Sequence, residues 1–295
     1  MNTIKKSKAD RIFDVFNYSL MSLIVLAALY PLYIIVISSF SDPYAVNSGS
    51  VWLFPKGFTL EGYLRIFEYD KIWMGYRNSL FYAVIGTAIN LSLTLTAGYA
   101  LSRSDLVGRN MIMFFIVFTM FFGGGIIPSY LLVKELGMVN TIWSQVIPNA
   151  VSAFNIIIAR TFFQTTIPKG LLEAAQVDGC STTKFFLKIV LPLSVPIIAV
   201  IALFSAVAHW NSYFQALIYL RDENLFPLQI VLREILIMNE AQGDTMMLSS
   251  DSELKDYAEI MKYGAIIVAS IPVLVLYPFI QKYFVKGVMI GSIKE

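Results

Sequence analysis

Two carboxylates stand at a fixed spacing in an amphipathic stretch that separates two long apolar blocks. Glu173 leads into Ala174 and Ala175, and Asp178 and Gly179 follow after a gap of two residues. The same stretch ends in an apolar set that comprises Ile189, Leu191 and Pro192. A lone Glu-Ala-Ala triplet is uninformative, whereas the whole spaced set between two membrane-length segments is specific. The stretch carries negative charge beside small side chains and contains no catalytic constellation.

Helix signals on both sides of this set predict a helix–turn–helix over residues 168–192. Pro168 suits the first turn of a helix, where its missing N–H is no loss, and most residues in 171–177 are good helix formers. Gly179 can take the left-handed conformation that ends a helix. Ser181 can then cap a second helix. An ordinary loop with a glycine turn is the plainer alternative.

A second polar cluster lies near the end of a long apolar segment and consists of Trp210, Asn211, Tyr213 and Gln215. On a continuous helix, Asn211 and Gln215 share a face that the two aromatic residues flank. Sugars bind to aromatic faces together with amide and hydroxyl groups. We therefore predict that this cluster lines a path for a polar solute, with packing between helices as the alternative. Further polar or aromatic residues inside the apolar segments are Asn78, Tyr82, Asn90, Tyr99, Asn149, Asn155 and His209.

Several kinds of chemistry are excluded by what the sequence lacks. No Gly-Lys dipeptide occurs, so the chain has no Walker A loop and cannot hydrolyse ATP by that route. No chain of acidic residues or histidines inside the apolar segments suggests a proton relay. Cys180 is the single cysteine, which excludes an internal disulfide and a cysteine-based metal site. We predict no catalytic residue, no metal site and no cofactor, and we assign the lone His209 to packing or pore lining.

The composition is that of a membrane protein. Of the 295 residues, 57% are hydrophobic and 14% are charged, and the mean hydropathy is +0.67. The net charge of +2 gives no indication of nucleic-acid binding. Runs long enough to cross about 30 Å of hydrocarbon predict an all-α, polytopic fold with six transmembrane helices, near residues 18–37, 78–101, 110–133, 142–162, 193–220 and 262–284.

Basic residues decide the orientation of these spans. The segments on the N-terminal side hold 13 of the 22 lysines and arginines, and this bias places both termini and the stretch 168–192 in the cytoplasm. The predicted organisation is a cytoplasmic N-terminus at 1–16, a first span at 17–38, an extracytoplasmic loop at 39–76, a transmembrane domain at 77–284 and a cytoplasmic tail at 285–295.

An outer loop at 221–260 carries nine carboxylates. Within it, the apolar residues between Leu228 and Met238 recur at helical spacing. This pattern predicts an amphipathic helix that rests on the outer end of the bundle. A docking surface for an extracytoplasmic partner is an equal alternative.

The spaced set in 168–192 resembles the cytoplasmic EAA loop of binding-protein-dependent ABC importer permeases. The similarity extends over roughly residues 70–295, including 121–171, the His-Trp-Asn run at 209–211 and the Phe-Val-Lys-Gly-Val run at 284–288. These segments resemble carbohydrate-uptake permeases of the maltose-permease type, in a branch linked with complex oligosaccharides.

This resemblance implies a function and a set of partners. The chain would be a permease subunit in a bacterial cell membrane that translocates an oligosaccharide by alternating access. Its EAA helix, with Glu173, Ala174, Ala175, Asp178 and Gly179, would dock in a cleft of a separate ATPase, where Glu173 meets basic groups. The implied partners are a second homologous permease, two cytoplasmic ATPase subunits and an extracytoplasmic substrate-binding lipoprotein.

Three other functions compete with this interpretation. A permease for peptides or another polar solute would share the same motif. An intramembrane enzyme would need paired acids or a serine–histidine set, and an ion channel would need a ring of charge or a filter repeat. Neither of the last two features is present in the sequence.

Overall fold

The computed structural model describes residues 7–245, 261–278 and 281, and within these ranges it contains helices and no strand. In chain order the helices are α1 Lys8–Ser39, α2 Pro43–Asn47, α3 Glu61–Glu68, α4 Asp70–Ser102, α5 Arg109–Phe121, α6 Ile126–Glu135, α7 Trp143–Val146, α8 Ala153–Thr166, α9 Lys169–Val177, α10 Thr182–Phe185, α11 Leu191–Leu193, α12 Val195–Trp210, α13 Phe214–Tyr219, α14 Leu228–Thr245 and α15 Met261–Pro278. A π turn at Phe186–Val190 joins α10 to α11, and a 3-10 turn occupies Glu223–Leu225.

The chain divides into two compact units. The first comprises residues 1–69 and 232–270, and the second comprises residues 70–231 and 271–295. In the first unit, α1 begins at a capping box in which the Ser7 side chain accepts from the Asp10 N–H and Asp10 accepts from the Ser7 N–H. Most apolar side chains of α1 are exposed, which suits a helix surrounded by lipid.

The second unit is built around α4, which packs along α12 and α8. Two glycines of α4 allow the close approach. A Cβ at Gly86 would lie 2.3 Å from His209 Nε2 on α12, and a Cβ at Gly98 would lie 2.7 Å from the Ala159 Cβ on α8. Small residues of this kind let helix backbones approach closely in membranes.

Three helices among the described residues, α1, α4 and α15, are long and apolar enough to cross a membrane, and the number reaches five if each of two bent pairs counts as one span. The expected span at 110–133 is such a pair: the chain bends by 114° between α5 and α6. Gly125 lies at the break with a φ of 82°, a backbone conformation that glycine adopts readily and other residues avoid.

The expected span at 142–162 is also not one helix. It consists of α7 and α8, separated by residues 147–152 around Pro148, which lacks the N–H that a continuous helix needs. The 14 residues of α8 rise only about 21 Å. The remaining apolar length lies in the turn and in α7.

The predicted amphipathic helix near 228–238 is present as the longer helix α14, and Leu228, Val231, Leu232 and Ile235 are buried. Helix α4 begins at Asp70, eight residues before the predicted span. The rest of the outer loop (246–260), the end of the sixth predicted span (279, 280 and 282–284) and the tail (285–295) lie outside the described residues.

Candidate functional site

The stretch 168–192, called the EAA turn from here on, folds as a helix, a tight glycine turn and a second helical segment. Helix α9 ends at Val177, after which the Cys180 N–H donates to the Ala175 carbonyl over 2.8 Å and the Gly179 N–H donates to the Gln176 carbonyl over 3.0 Å. This pair of bonds is the Schellman arrangement, which needs a left-handed residue after the helix. Gly179 supplies it with a φ of 72°.

The second half of the EAA turn is less regular than a single helix. The Ser181 hydroxyl accepts from the Lys184 N–H over 3.3 Å and caps α10. The helix then widens into the π turn Phe186–Val190 and bends by 82° before α12. Short π segments inside helices mark local departures from regular packing and are frequent at functional sites. The glycine turn at Gly179 is therefore joined to α12 through the π turn and then the bend.

Side chains of the EAA turn divide into a buried and an exposed set. Ala175 packs into an apolar cluster with Phe185 and Tyr99. Glu173, Ala174 and Asp178 are exposed, and so is Val177, at 88%. Glu173 makes no ion pair with any residue that the structure describes. The exposed side thus combines an apolar tip with two carboxylates, as a contact surface for a basic partner would require.

A cleft of about 450 Å³ lies between the EAA turn and the end of α4. Glu173 and Gln176 line one side, and Arg103, Asp105 and Arg109 line the other. The Arg103 guanidinium donates from Nε to Asp105 Oδ1 over 2.8 Å. This hydrogen bond raises the pKa of Arg103 and lowers the pKa of Asp105, so both groups stay charged at neutral pH.

The opposite end of the second unit is tied together by side chains. Asn140 has a φ of 58°, the one positive value outside glycine among the described residues, and its Oδ1 accepts the N–H groups of Arg221 and Asp222 at 2.8 Å each. Asn78 Nδ2 donates to the Asn224 and Phe226 carbonyls over 2.7 and 3.0 Å. We call this group of contacts the clamp; it comprises Asn78, Tyr82, Asn140 and the segment 221–227.

The predicted solute cluster does not share one helical face, and this prediction is wrong in its geometry. Helix α12 ends at Trp210, Asn211 is its C-cap, and a new helix begins at Phe214. Trp210 is buried against the Tyr76 ring at 5.6 Å, and Tyr213 packs on an apolar cluster. The helix is interrupted here because residues 211–213 are not helical. The spacing of the side chains alone does not reveal such an interruption.

Of that cluster, Gln215 alone lines a cavity of about 560 Å³ in the second unit, in which several polar groups are set in a largely apolar lining; we call it the polar cavity. The cavity is otherwise lined by residues from α4, α12 and the segment 149–155, including Asn90, Asn149, Ser152, Asn155, Ser205 and His209. Most of these side chains are visible in the sequence as polar residues within apolar segments. Their convergence depends on which helices pack together, and periodicity carries no such signal.

A family model described as "Binding-protein-dependent transport system inner membrane component" matches residues 72–290. The chain belongs to this family. The permease is 43% identical over 286 residues to the polygalacturonan/rhamnogalacturonan transport system permease protein YtcP of Bacillus subtilis strain 168, which covers 97% of this chain and 99% of that protein. It is 39% identical over 297 residues to Protein LplC of the same organism, with coverages of 100% and 99%.

A solved structure shares the fold of this permease. It is a bacterial ABC transporter involved in the import of the acidic polysaccharide alginate, with a TM-score of 0.86, 35% identity and coverage of 96% of this chain and 100% of that one. These likenesses confirm the predicted family and its role in transport. The permease is the membrane component of an ABC importer, works with a binding protein, and leaves ATP hydrolysis to a separate subunit.

Proposed function

We propose that this permease carries oligosaccharides, of the kind released from acidic polysaccharides, into a bacterial cell. The observation that carries the proposal is the 43% identity to a permease named for polygalacturonan and rhamnogalacturonan, extending over nearly the full length of both chains. The alginate importer, 35% identical, supports the same class of cargo. No contact or cavity among the described residues favours a peptide over a saccharide.

The proposed topology is six spans with both termini in the cytoplasm. The bent pair α5–α6 counts as one span, the segment 143–166 as another, and α12 with the residues after it, within 193–220, as a third. Two contacts made by the two ends of α4 support this arrangement. Lys71 pairs with Glu223 at 2.6 Å, and Arg160 donates to the Leu101 carbonyl over 3.2 Å. Each contact joins two segments that the topology assigns to the same side of the membrane.

The proposed coupling site is the EAA turn, with Glu173, Ala174, Ala175, Asp178 and Gly179. A turn that is closed by its own backbone hydrogen bonds and presents an exposed apolar tip and exposed carboxylates is suited to docking in a basic cleft of an ATPase subunit. Closure of two ATPase subunits would then move the EAA turn and, through the bend at Ser194, helix α12. The proposed complex contains this permease, a homologous partner permease, two ATPase subunits and an extracytoplasmic binding lipoprotein.

The proposed solute path passes the outer part of α12 and the residues that follow it. Asn211 is exposed and Gln215 lines the polar cavity, and these two remain candidates for contact with the solute. Trp210 and Tyr213, which the sequence grouped with them, are engaged in packing. For Trp210 and Tyr213, these contacts favour a structural role beside the path over direct contact with the solute.

Uptake by the reconstituted complex tests this function. Proteoliposomes would contain the two permeases and the ATPase subunits, with binding protein and labelled oligosaccharides from polygalacturonan, rhamnogalacturonan or alginate supplied on the outer side. We expect ATP-dependent uptake of at least one of these saccharides and none of a peptide mixture. Uptake of peptides with no uptake of any saccharide would overturn the proposal, as would saccharide uptake that needs no ATP.

A further inference from the structure

Two largely buried polar side chains line the polar cavity. Asn155 is 6% exposed and His209 is 4% exposed. Neither residue has a fully enclosed side-chain polar atom without a partner. No side-chain hydrogen bond of either residue is seen in the described part of the chain, so their polar atoms are open to water or a ligand in the cavity.

The cavity wall around these two groups is fixed by other contacts. Asn90 donates from Nδ2 to the Ala150 carbonyl over 3.1 Å and accepts from the Ser205 hydroxyl over 2.7 Å. The His209 ring is held against Gly86, where even a methyl group would collide with it. Asn90 thus secures the wall, while Asn155 and His209 remain available. A polar site with fixed walls loses little entropy when a ligand binds.

The lining selects one class of ligand. Amides, hydroxyls and an imidazole supply donors and acceptors, and Phe154 and Phe204 supply apolar ring surface. Among the residues that the structure describes, no lysine, arginine, aspartate or glutamate lines this cavity. Such a surface suits hydroxyl groups and the apolar faces of sugar rings, and it offers no counter-ion to a carboxylate. The volume of about 560 Å³ lies within the range of about 300–1,000 Å³ usual for small-molecule sites.

We infer that this cavity is a transit site for an uncharged, hydroxyl-rich part of the solute, with Asn155 and His209 as its specificity-determining residues. The inference rests on the proposed function and adds a location and a mode of recognition to it. Carboxylates of an acidic oligosaccharide would be recognised elsewhere, and this subunit would read the sugar hydroxyls. The cavity extends along α12 from Phe204 to His209 and includes Gln215 of the cluster predicted from sequence.

Protection of an introduced cysteine tests occupancy directly. Because Cys180 is the single cysteine, Cys180→Ser gives a thiol-free background for Ala208→Cys, at an exposed position that lines the cavity. In the complete reconstituted complex we expect the transported oligosaccharide, added with ATP and binding protein, to slow labelling by a small charged thiol reagent at least about threefold, compared with ATP and binding protein alone. Ser48→Cys, exposed and outside the cavity lining, is the control and should label equally in both conditions.

Kinetics of uptake provide the second measurement. Asn149→Ala and Asn155→Leu should raise the KM for saccharide uptake several-fold, while the ATPase rate without saccharide stays within about twofold of that of the unmodified complex. A melting curve for each variant complex checks its folding, and the exposed Asn149 gives a variant with little effect on packing. If the complex transports saccharide while labelling and KM are unchanged, this inference alone is overturned. If the unmodified complex transports no saccharide, the proposed function itself fails.

Discussion

The clamp and the EAA turn lie at opposite ends of the second unit and are stabilised in opposite ways. In the clamp, side chains from two distant segments satisfy the backbone of 221–227: Asn78 and Tyr82 donate to its carbonyls, and Asn140 accepts its N–H groups. In the EAA turn, backbone bonds within the stretch itself close the loop, and Glu173 and Asp178 are left exposed.

This difference indicates where the permease needs a partner. The clamp is closed by hydrogen bonds between residues of one chain. The EAA turn is closed by its own backbone hydrogen bonds but presents exposed carboxylates and an exposed apolar tip at Val177. Such a surface is suited to contact with another subunit. The predictions below test this contrast.

The largest effect is expected at Glu173. Glu173→Lys should abolish ATP-driven uptake, because it sets a cation against basic groups of the ATPase, and juxtaposed like charges cost several kcal/mol. A loss of 3 kcal/mol would weaken the contact by about 100-fold or more. The measurements are saccharide uptake and co-purification of the ATPase subunits. Glu135, on α6, is also an exposed carboxylate, so Glu135→Lys is the matched control, and this variant should transport normally. Normal uptake by Glu173→Lys would remove Glu173 from the coupling site.

The next effect concerns the stability of the clamp. Asn140→Ala removes the acceptor for two N–H groups, each worth about 1 kcal/mol, and leaves alanine in a left-handed conformation that costs about 1–2 kcal/mol. We expect a loss of about 3 kcal/mol, seen as a lower melting temperature of the purified complex.

Two further variants at Asn140 separate these contributions. Asn140→Gly should recover the conformational part, and Asn140→Asp, which keeps the acceptor oxygens, should melt close to the unmodified protein. If all three variants melted at the temperature of the unmodified protein, the hydrogen bonds of Asn140 in the clamp would add nothing to stability.

The smallest effect is expected at the glycine of the EAA turn. Gly179→Ala introduces a side chain at a φ of 72° and should cost about 1 kcal/mol through backbone strain, because no atom of the described residues lies within 4 Å of the added Cβ. Co-purification of the ATPase should fall modestly. Gly170→Ala, inside α9 with open space around it and no positive φ, should be neutral or stabilising. A larger loss at Gly170 than at Gly179 would contradict the role assigned to the Schellman turn.

Local signals in the sequence predicted the local structure of the EAA turn well. Gly179 and Ser181 occupy the turn and cap positions that their residue types favour. The course of the backbone within each span was harder to predict. The bend at Gly125 and the turn at Pro148 divide segments whose hydropathy is continuous, because hydropathy measures polarity and not direction.

The solute site was the hardest part to predict. A shared face for Asn211 and Gln215 requires a continuous helix through both residues, whereas α12 ends at Trp210. Asn90 and Asn155 are 65 residues apart in the sequence and reach the same cavity because α4 packs against α8 and α12. A single sequence holds the residue types of such a site and not the packing that assembles it.

A photo-reactive amino acid at Val177 tests the central claim most directly. Benzoylphenylalanine there would stand at the tip of the EAA turn, and the same residue at Asn224 would stand in the clamp. We expect illumination of membranes that contain the whole complex to join the Val177 variant, and not the Asn224 variant, to an ATPase subunit. An ATPase adduct from Asn224, or none from Val177 in a complex that still transports, would contradict the assignment of the EAA turn as the element that receives the force of ATP hydrolysis.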